Sequence, residues 1–214
     1  MDKVISGYDD QMMDITMTVI DKDGSTKSYD YSVYQKGEKR LVRFTSGEVK
    51  GMSVLSMSRD RVYVYLPGYK RVRRVAAHNL NQAFVGSDFS QDDMATTEWA
   101  DSHSVKMEKE DEDFWYLRCI PNKNQRLSYD SALLKVGKKE YRQWRVEYYK
   151  NGEIDKTMDN TVVTEFGPQA IRHKNVVMST PSRAHKTELE LKDFKVNLGL
   201  TDSMFTVRQL QWSK

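Results

Sequence analysis

Only one cysteine, Cys119, occurs in the chain, so no intrachain disulfide is possible and thiolate metal sites built from two or four cysteines are excluded. No apolar run approaches the ~18 residues that a membrane-spanning helix requires. Net charge is small: 34 Lys and Arg against 31 Asp and Glu leave +3. A protein whose affinity rested on neutralising many phosphates would carry a larger excess, which argues against nucleic acid as a partner. The four histidines, His78, His103, His173 and His185, are scattered, and none stands at zinc-ligand spacing from another His or from Cys119. Gly-x-Ser-x-Gly, a phosphate-binding glycine loop and the dinucleotide fingerprint are all missing. An enzyme reading has nothing specific to stand on, and no metal or cofactor is implied.

What is present is a long succession of β-like segments. At 214 residues, 38% hydrophobic and 30% charged, the chain suits one domain over residues 1–214 with a real core. From Met12 the period is two: Met13, Ile15, Met17 and Val19 alternate with Asp14, Thr16, Thr18 and Ile20. Asp23-Gly24 marks a hairpin turn, and Tyr29, Tyr31 and Val33 form one face of the return strand. Segments 41–45, 51–57 and 61–66 follow, joined by short polar turns, which reads as an antiparallel meander. Strands resume at 104–108 and 114–120 and continue at 141–149, 156–158, 161–166, 175–179 and 186–196. The middle differs: Ser90-Gln91-Asp92-Asp93 resembles a capping box, with a short helix expected from Met94 to Trp99. A sheet of ten or more strands twists and must curl, close or stack. Segments 12–20, 42–44, 52–57 and 62–66 carry large apolar groups on both faces, so each face must meet another sheet, a helical plug or a ligand.

The run Glu108, Glu110, Asp111, Glu112, Asp113 reads as a solvated hairpin tip; a calcium loop would alternate its carboxylates around a central glycine. Asp92 and Asp93 fit the first turn of the expected helix, where its dipole favours negative charge. The strip Lys70, Arg71, Arg73, Arg74 is an exposed basic strand or loop, a rim for lipid phosphates or an acidic partner, or, least favoured, a nucleic-acid surface. Of the 11 methionines, Met12, Met13, Met17, Met52, Met57 and Met94 belong to a concentration in the first half. Methionine adapts to varied apolar shapes, which favours an adjustable cavity over a rigid core.

Three stretches carry a resemblance: Tyr63-Val64-Tyr65-Leu66-Pro67, then Lys70-Arg71-Val72-Arg73-Arg74-Val75, then Phe84-Val85-Gly86-Ser87-Asp88-Phe89-Ser90. Together with Glu147-Tyr148-Tyr149, Thr187 to Asn197 and Asp202 to Thr206, the chain resembles outer-membrane lipoprotein-sorting proteins of the LolA-like superfamily, which includes the LolA, LolB and RseB types. It departs from them at Asp92-Asp93, where Glu-Asp is usual, and in a shorter leading segment. The resemblance implies a mainly β protein, an unclosed antiparallel half-barrel of about eleven strands with short helices over the concave face. It also implies a non-enzymatic periplasmic carrier, its leader peptide already removed, that binds acyl chains of lipids or lipoproteins in an apolar groove. Such a carrier would pass them from an inner-membrane lipid exporter to an outer-membrane acceptor. The alternative on the same half-barrel is an envelope sensor or adaptor binding a protein or peptide.

Expected groove residues are Met13, Ile15, Met17, Val42, Phe44, Val54, Leu55, Val62, Val64, Phe84, Phe89 and Met94, a set that spans both strand faces. Arg71, Arg73 and Arg74 are expected to meet a headgroup or partner. The segment from Ala76 to Phe84 and the helix after Ser90 are expected to form a lid, with Phe84 and Phe89 touching the ligand.

Overall fold

The computed structural model describes residues 1–59, 61–76, 79–80, 82–90, 93, 98–123 and 127–211. A short helix, α1 (Asp2–Ser6), precedes β1 (Gln11–Ile20), β2 (Thr26–Lys36), β3 (Lys39–Phe44), β4 (Ser53–Ser58), β5 (Arg61–Leu66) and β6 (Arg71–Arg74). After a long connection comes α2 (Trp99–Ser102), then β7 (His103–Glu110), β8 (Phe114–Pro121), β9 (Ser131–Gly137), β10 (Gln143–Lys150), β11 (Glu153–Glu165), β12 (Ile171–Thr180) and β13 (His185–Val196). All pairings are antiparallel within one sheet ordered β6-β5-β4-β3-β2-β1-β13-β12-β11-β10-β9-β8-β7.

The sheet is unclosed, because β6 and β7 are its two edges. It has 13 strands rather than about eleven. The basic strip proves to be strand β6, paired with β5 through Leu66↔Arg71 and Val64↔Arg73. Strand β9 is the other addition, with Ala132, Leu134 and Val136 buried on alternate positions. Segments 156–158 and 161–166 belong to one strand, β11.

Period-two patterning decides the layers. Along β1 the odd positions from Gln11 to Val19 are buried and the even ones half-exposed. Met13, Ile15, Met17 and Val19 join Tyr29, Tyr31, Val33, Val42, Phe44, Val54 and Val62 in a core that continues on the same face to Cys119, Leu134 and Val146 in the other half of the sheet. The reverse face of β3 to β5 presents Leu41, Leu55 and Tyr65, which pack beneath Phe205 and Leu210 of the C-terminal segment. Two 3₁₀ turns, Asp202–Met204 and Val207–Gln211, shape that segment. Apolar groups on both faces of these strands are thus explained: the inner face meets the main core and the outer face meets the chain's own C-terminal stretch. The acidic run ends β7 and forms the turn into β8, where the Asp111 carboxylate accepts hydrogen bonds from the Asp113 and Phe114 N–H groups and from Tyr116 Oη.

The connection from β6 to β7 runs from one sheet edge to the other, so it has to cross the molecule. Its anchor points mark the route. Phe84 packs against Phe44 of β3 with ring centroids 5.6 Å apart, Asp88 is buried against β12 and β13, and Asp93 pairs with Lys156 of β11. No described helix is long and apolar enough to cross a membrane.

Candidate functional site: an amphipathic cavity

Beneath the crossing segment the inner face leaves a cavity of about 260 Å³. Its wall draws on seven consecutive strands, from Arg40 on β3 through Tyr31, Met13, Leu191, Val176 and Met158 to Tyr148 on β10. Seven strands laid flat at ~4.8 Å spacing would span about 29 Å. One small cavity touches all of them only because the sheet is strongly curved. Ile5 of α1, Phe89, Trp99 and Leu127 complete the apolar lining.

Opposite ends of the cavity region differ in chemistry. At the end where β1, β3, β10 and β12 begin and β2 finishes, the wall is polar and cationic: Gln11, Gln35, Arg40, Arg142, Gln143, Arg172 and His173. Gln11 Nε2 donates to Gln35 Oε1 at 2.9 Å, and Arg172 Nη1 donates to Gln11 Oε1 at 3.1 Å and to the Ile5 carbonyl at 3.3 Å. Burial, together with the nearby charges of Arg40 and Arg142, lowers the Arg172 pKa to about 10, so the guanidinium still carries its charge at neutral pH. Burial and the Arg142 charge push His173 down to about 4, which keeps it neutral. Elsewhere the wall is aromatic. Trp99 packs on His103 at 4.8 Å, His103 stacks on Tyr129 and shares a 3.0 Å hydrogen bond with its hydroxyl, and Tyr129 meets Tyr148 edge-on at 5.0 Å.

Toward the opposite strand ends the crossing segment is held by a buried carboxylate. Asp88 Oδ1 accepts from Thr180 Oγ1 at 2.5 Å, Oδ2 accepts from Thr187 Oγ1 at 2.8 Å and lies 2.7 Å from His185 Nδ1, and the Asp88 N–H donates back to Thr187 Oγ1 at 2.9 Å. The Phe84–Ser90 turn that presents Asp88 is tight. Phe84 N–H donates to the Phe89 carbonyl at 2.7 Å, and Val85 and Gly86 both adopt left-handed backbone at φ 53° and 77°. Glycine takes that conformation freely, whereas the β-branched Val85 is strained there. The Gly-Ser-Asp-Phe-Ser element is therefore a device for docking the crossing segment onto β12 and β13.

Comparison with known proteins adds the family. A model of a family described as "Uncharacterized protein" matches residues 36–212. Among solved structures, a DUF1329 family protein from Desulfovibrio piger superposes with a TM-score of 0.90 at 21% identity, covering 98% of this chain and 94% of its own. A domain described as an outer membrane lipoprotein-sorting protein, from Vibrio parahaemolyticus, gives 0.84 at 24%, covering 94% and 91%. A LolA superfamily protein from Nitrosomonas europaea gives 0.79 at 20%, covering 97% and 94%. The chain belongs to the matched family, and its fold is LolA-like. No curated protein matches the sequence.

Within the LolA-like frame the expected groove residues separate into groups. Met13, Ile15 and Phe89 line the cavity. Met17, Val42, Phe44, Val54, Val62 and Phe84 are buried in the packed core on the same face, with Val64 half-buried against it, and none of them reaches the cavity wall. Leu55 faces the other way, into the cluster under the C-terminal segment. Met94 and the helix expected from Met94 to Trp99 fall mostly outside the described residues; Trp99 opens α2. Arg71, Arg73 and Arg74 lie exposed on edge strand β6, away from the cavity. Of the two expected lid phenylalanines, Phe89 touches the cavity, while Phe84 is 1% exposed and serves the core. The cationic cluster was not anticipated. Its signal is faint but present: Gln11 and Gln35 occupy inward positions of β1 and β2 where neighbouring inward residues are apolar.

Among the described residues, no three His, Cys, Asp or Glu side chains group to hold a metal. Cys119 is buried, and burial pushes its thiol up to about 12, where it is a poor nucleophile.

Proposed function

We propose that this chain, as one LolA-like domain, is a non-enzymatic envelope carrier that takes an acyl chain of a lipid or lipoprotein into the cavity and passes it between membrane components in the periplasm. The observation that carries the reading is the cavity itself: side chains of the inner face pack into a dense core on both sides of it, yet about 260 Å³ beneath the crossing segment stays unfilled and largely apolar. Likeness of fold to the Vibrio domain described as lipoprotein-sorting points the same way. The volume lies just below the ~300–1,000 Å³ usual for small-molecule sites, which suits one chain rather than several. Removing a chain from water yields about 0.8 kcal/mol per methylene, so a carrier must hold only part of its cargo or spend part of that energy on opening. The basic edge strand, with Arg71, Arg73 and Arg74, would meet the phosphates of a membrane surface or an acidic partner during transfer.

Two measurements test this. Protein isolated from cell envelopes without detergent is expected to carry lipid by native mass spectrometry. The neutral dye N-phenyl-1-naphthylamine is expected to bind one per chain, and Leu189→Trp, which fills the cavity from β13, should abolish that binding while leaving the melting transition in place. Undiminished dye binding by a folded Leu189→Trp protein would refute the assignment.

A further inference from the structure

We propose that the polar end of the cavity is an oxyanion site, holding the ionised head (a carboxylate or a phosphate monoester) of a single-chain amphiphile, with Arg142 and Arg172 as its counter-charges. The inference rests on the carrier reading for the tail and adds what that reading leaves open, namely which end of the ligand enters and with what charge.

Arg142 lines the cavity, is 7% exposed, and among the described residues its guanidinium makes neither an ion pair nor a hydrogen bond. Among the described residues Arg172 bonds neutral oxygens alone, those of Gln11 and the Ile5 carbonyl, and the positive charge of Arg40 lies close enough to disfavour its ionisation. A buried charge is costly unless paired, and like charges held together raise the cost further. Of the carboxylates that line the same cavity, Asp93 pairs with Lys156 and Asp2 accepts from the Ala100 N–H, and among the described residues neither forms an ion pair with Arg142 or Arg172. Glu140, the acid felt by His173, accepts the Trp144 Nε1 proton at 2.5 Å.

Neutral donors at the same place are also unmatched. Among the described residues Tyr31 Oη, on a residue 1% exposed, has no hydrogen-bond partner, and neither ring nitrogen of buried His173 makes a hydrogen bond of ordinary geometry, although the Thr161 backbone lies near enough to act on the ring. A neutral His173 offers one N–H and Tyr31 one O–H, which with two guanidiniums is the donor set an oxyanion would satisfy. The apolar wall of Met13, Ile15, Leu189 and Leu191 continues directly from this cluster, so the anion that fits both is one attached to a hydrocarbon chain. The head would lie inward at the strand ends and the tail would run under Phe89.

Competition against N-phenyl-1-naphthylamine tests the assignment, using decanoate, decyl phosphate, decanol and inorganic phosphate as competitors. Decanoate and decyl phosphate are expected to displace the dye at concentrations about ten- to a hundredfold below that of decanol, the worth of charge-assisted hydrogen bonds in a buried site. Arg142→Gln and Arg172→Gln should each erase at least about tenfold of that advantage, and Arg142→Gln should raise the melting temperature, because it removes an uncompensated charge. A residue with a purely structural role would lower it. Should either variant fail to fold, the ranking on the unaltered protein decides alone. Equal displacement by decanol and decanoate would overturn the oxyanion site and leave the carrier reading standing. Inorganic phosphate competing as well as decyl phosphate would overturn the amphiphile, and failure of dye and every tailed competitor to bind would end both readings.

Discussion

At the scale of single residues, polar groups buried for different reasons give different expected behaviour. His173 is held neutral in the fold, at about 4 against an ordinary value of 6.5, first by burial and then by the Arg142 charge. The unfolded chain binds its proton below about pH 6.5 and the folded chain does so only near 4. Stability from this group is therefore complete above pH 6.5 and drains away as pH falls toward 4, by on the order of 3 kcal/mol at 1.36 kcal/mol per unit. Urea unfolding of the parent and of His173→Leu between pH 7 and 4 is expected to show a shallower acid slope in the variant; parallel curves would refute the attribution. Asp88 is a case of the other kind. Its carboxylate is satisfied by Thr180, Thr187 and His185, and Asp88→Asn would point amide hydrogens at groups that are already donors. A loss of about 3 kcal/mol is expected, or about 6–12 °C in melting temperature for a chain of this size. Hydrogen exchange should locate it at 84–90 and at the facing ends of β12 and β13.

At the scale of elements, the crossing segment is held by points rather than by a ladder. Beyond Phe84 and Asp88, it is anchored by the pair Asp93–Lys156, whose side chains are 7% and 8% exposed. Ser90 and Asp93 exchange the reciprocal bonds of a capping box, Asp93 N–H to Ser90 Oγ at 3.1 Å and Ser90 N–H to Asp93 Oδ2 at 2.7 Å. Lys156→Met leaves the Asp93 charge buried alone and is expected to cost about 3–5 kcal/mol, whereas the double variant Asp93→Leu with Lys156→Met should recover most of it. A double-mutant cycle by chemical denaturation reads the coupling; additive losses would mean that the two side chains do not act as a pair. The capping box was legible because its chemistry is local, and β1 and β2 because strict alternation has one explanation. Strand β9 was less visible, although Ala132, Leu134 and Val136 do alternate, since Ala and Gly dilute its apolar signal. Strand β6 was read as strand or loop because three arginines in four residues mask its period. The oxyanion cluster could not be read at all: Arg40, Arg142, Arg172 and His173 come from three regions of the chain, and only the sheet order brings their strand ends together.

At the scale of the whole molecule, an unclosed sheet of 13 strands has to manage two free edges. Each exposes backbone N–H and C=O groups to any extended chain, a route to aggregation as well as to peptide capture. Both edges here are charged. Strand β6 carries Arg71, Arg73 and Arg74 in its four residues, and β7 carries Lys106, Glu108, Lys109 and Glu110, exposed along nearly its whole length. Two copies meeting β6 to β6 would align arginines against arginines, and like charges directly opposite on paired strands are unfavourable. The peptide-sensor alternative asks one of these edges to accept a strand, and on β6 only an acidic one would be tolerated. Replacing Arg71 and Arg73 by Thr keeps the β propensity of the strand, removes that repulsion and leaves the cavity, which neither residue lines, unaltered. The double variant is expected to retain dye binding within about twofold, because an exposed edge far from the ligand contributes little. It should also form dimers or larger species at concentrations where the parent runs as a smaller one, measured by sedimentation velocity. If the variant sediments as the parent does, charge is not what keeps this edge free, and the short length of β6 becomes the better explanation.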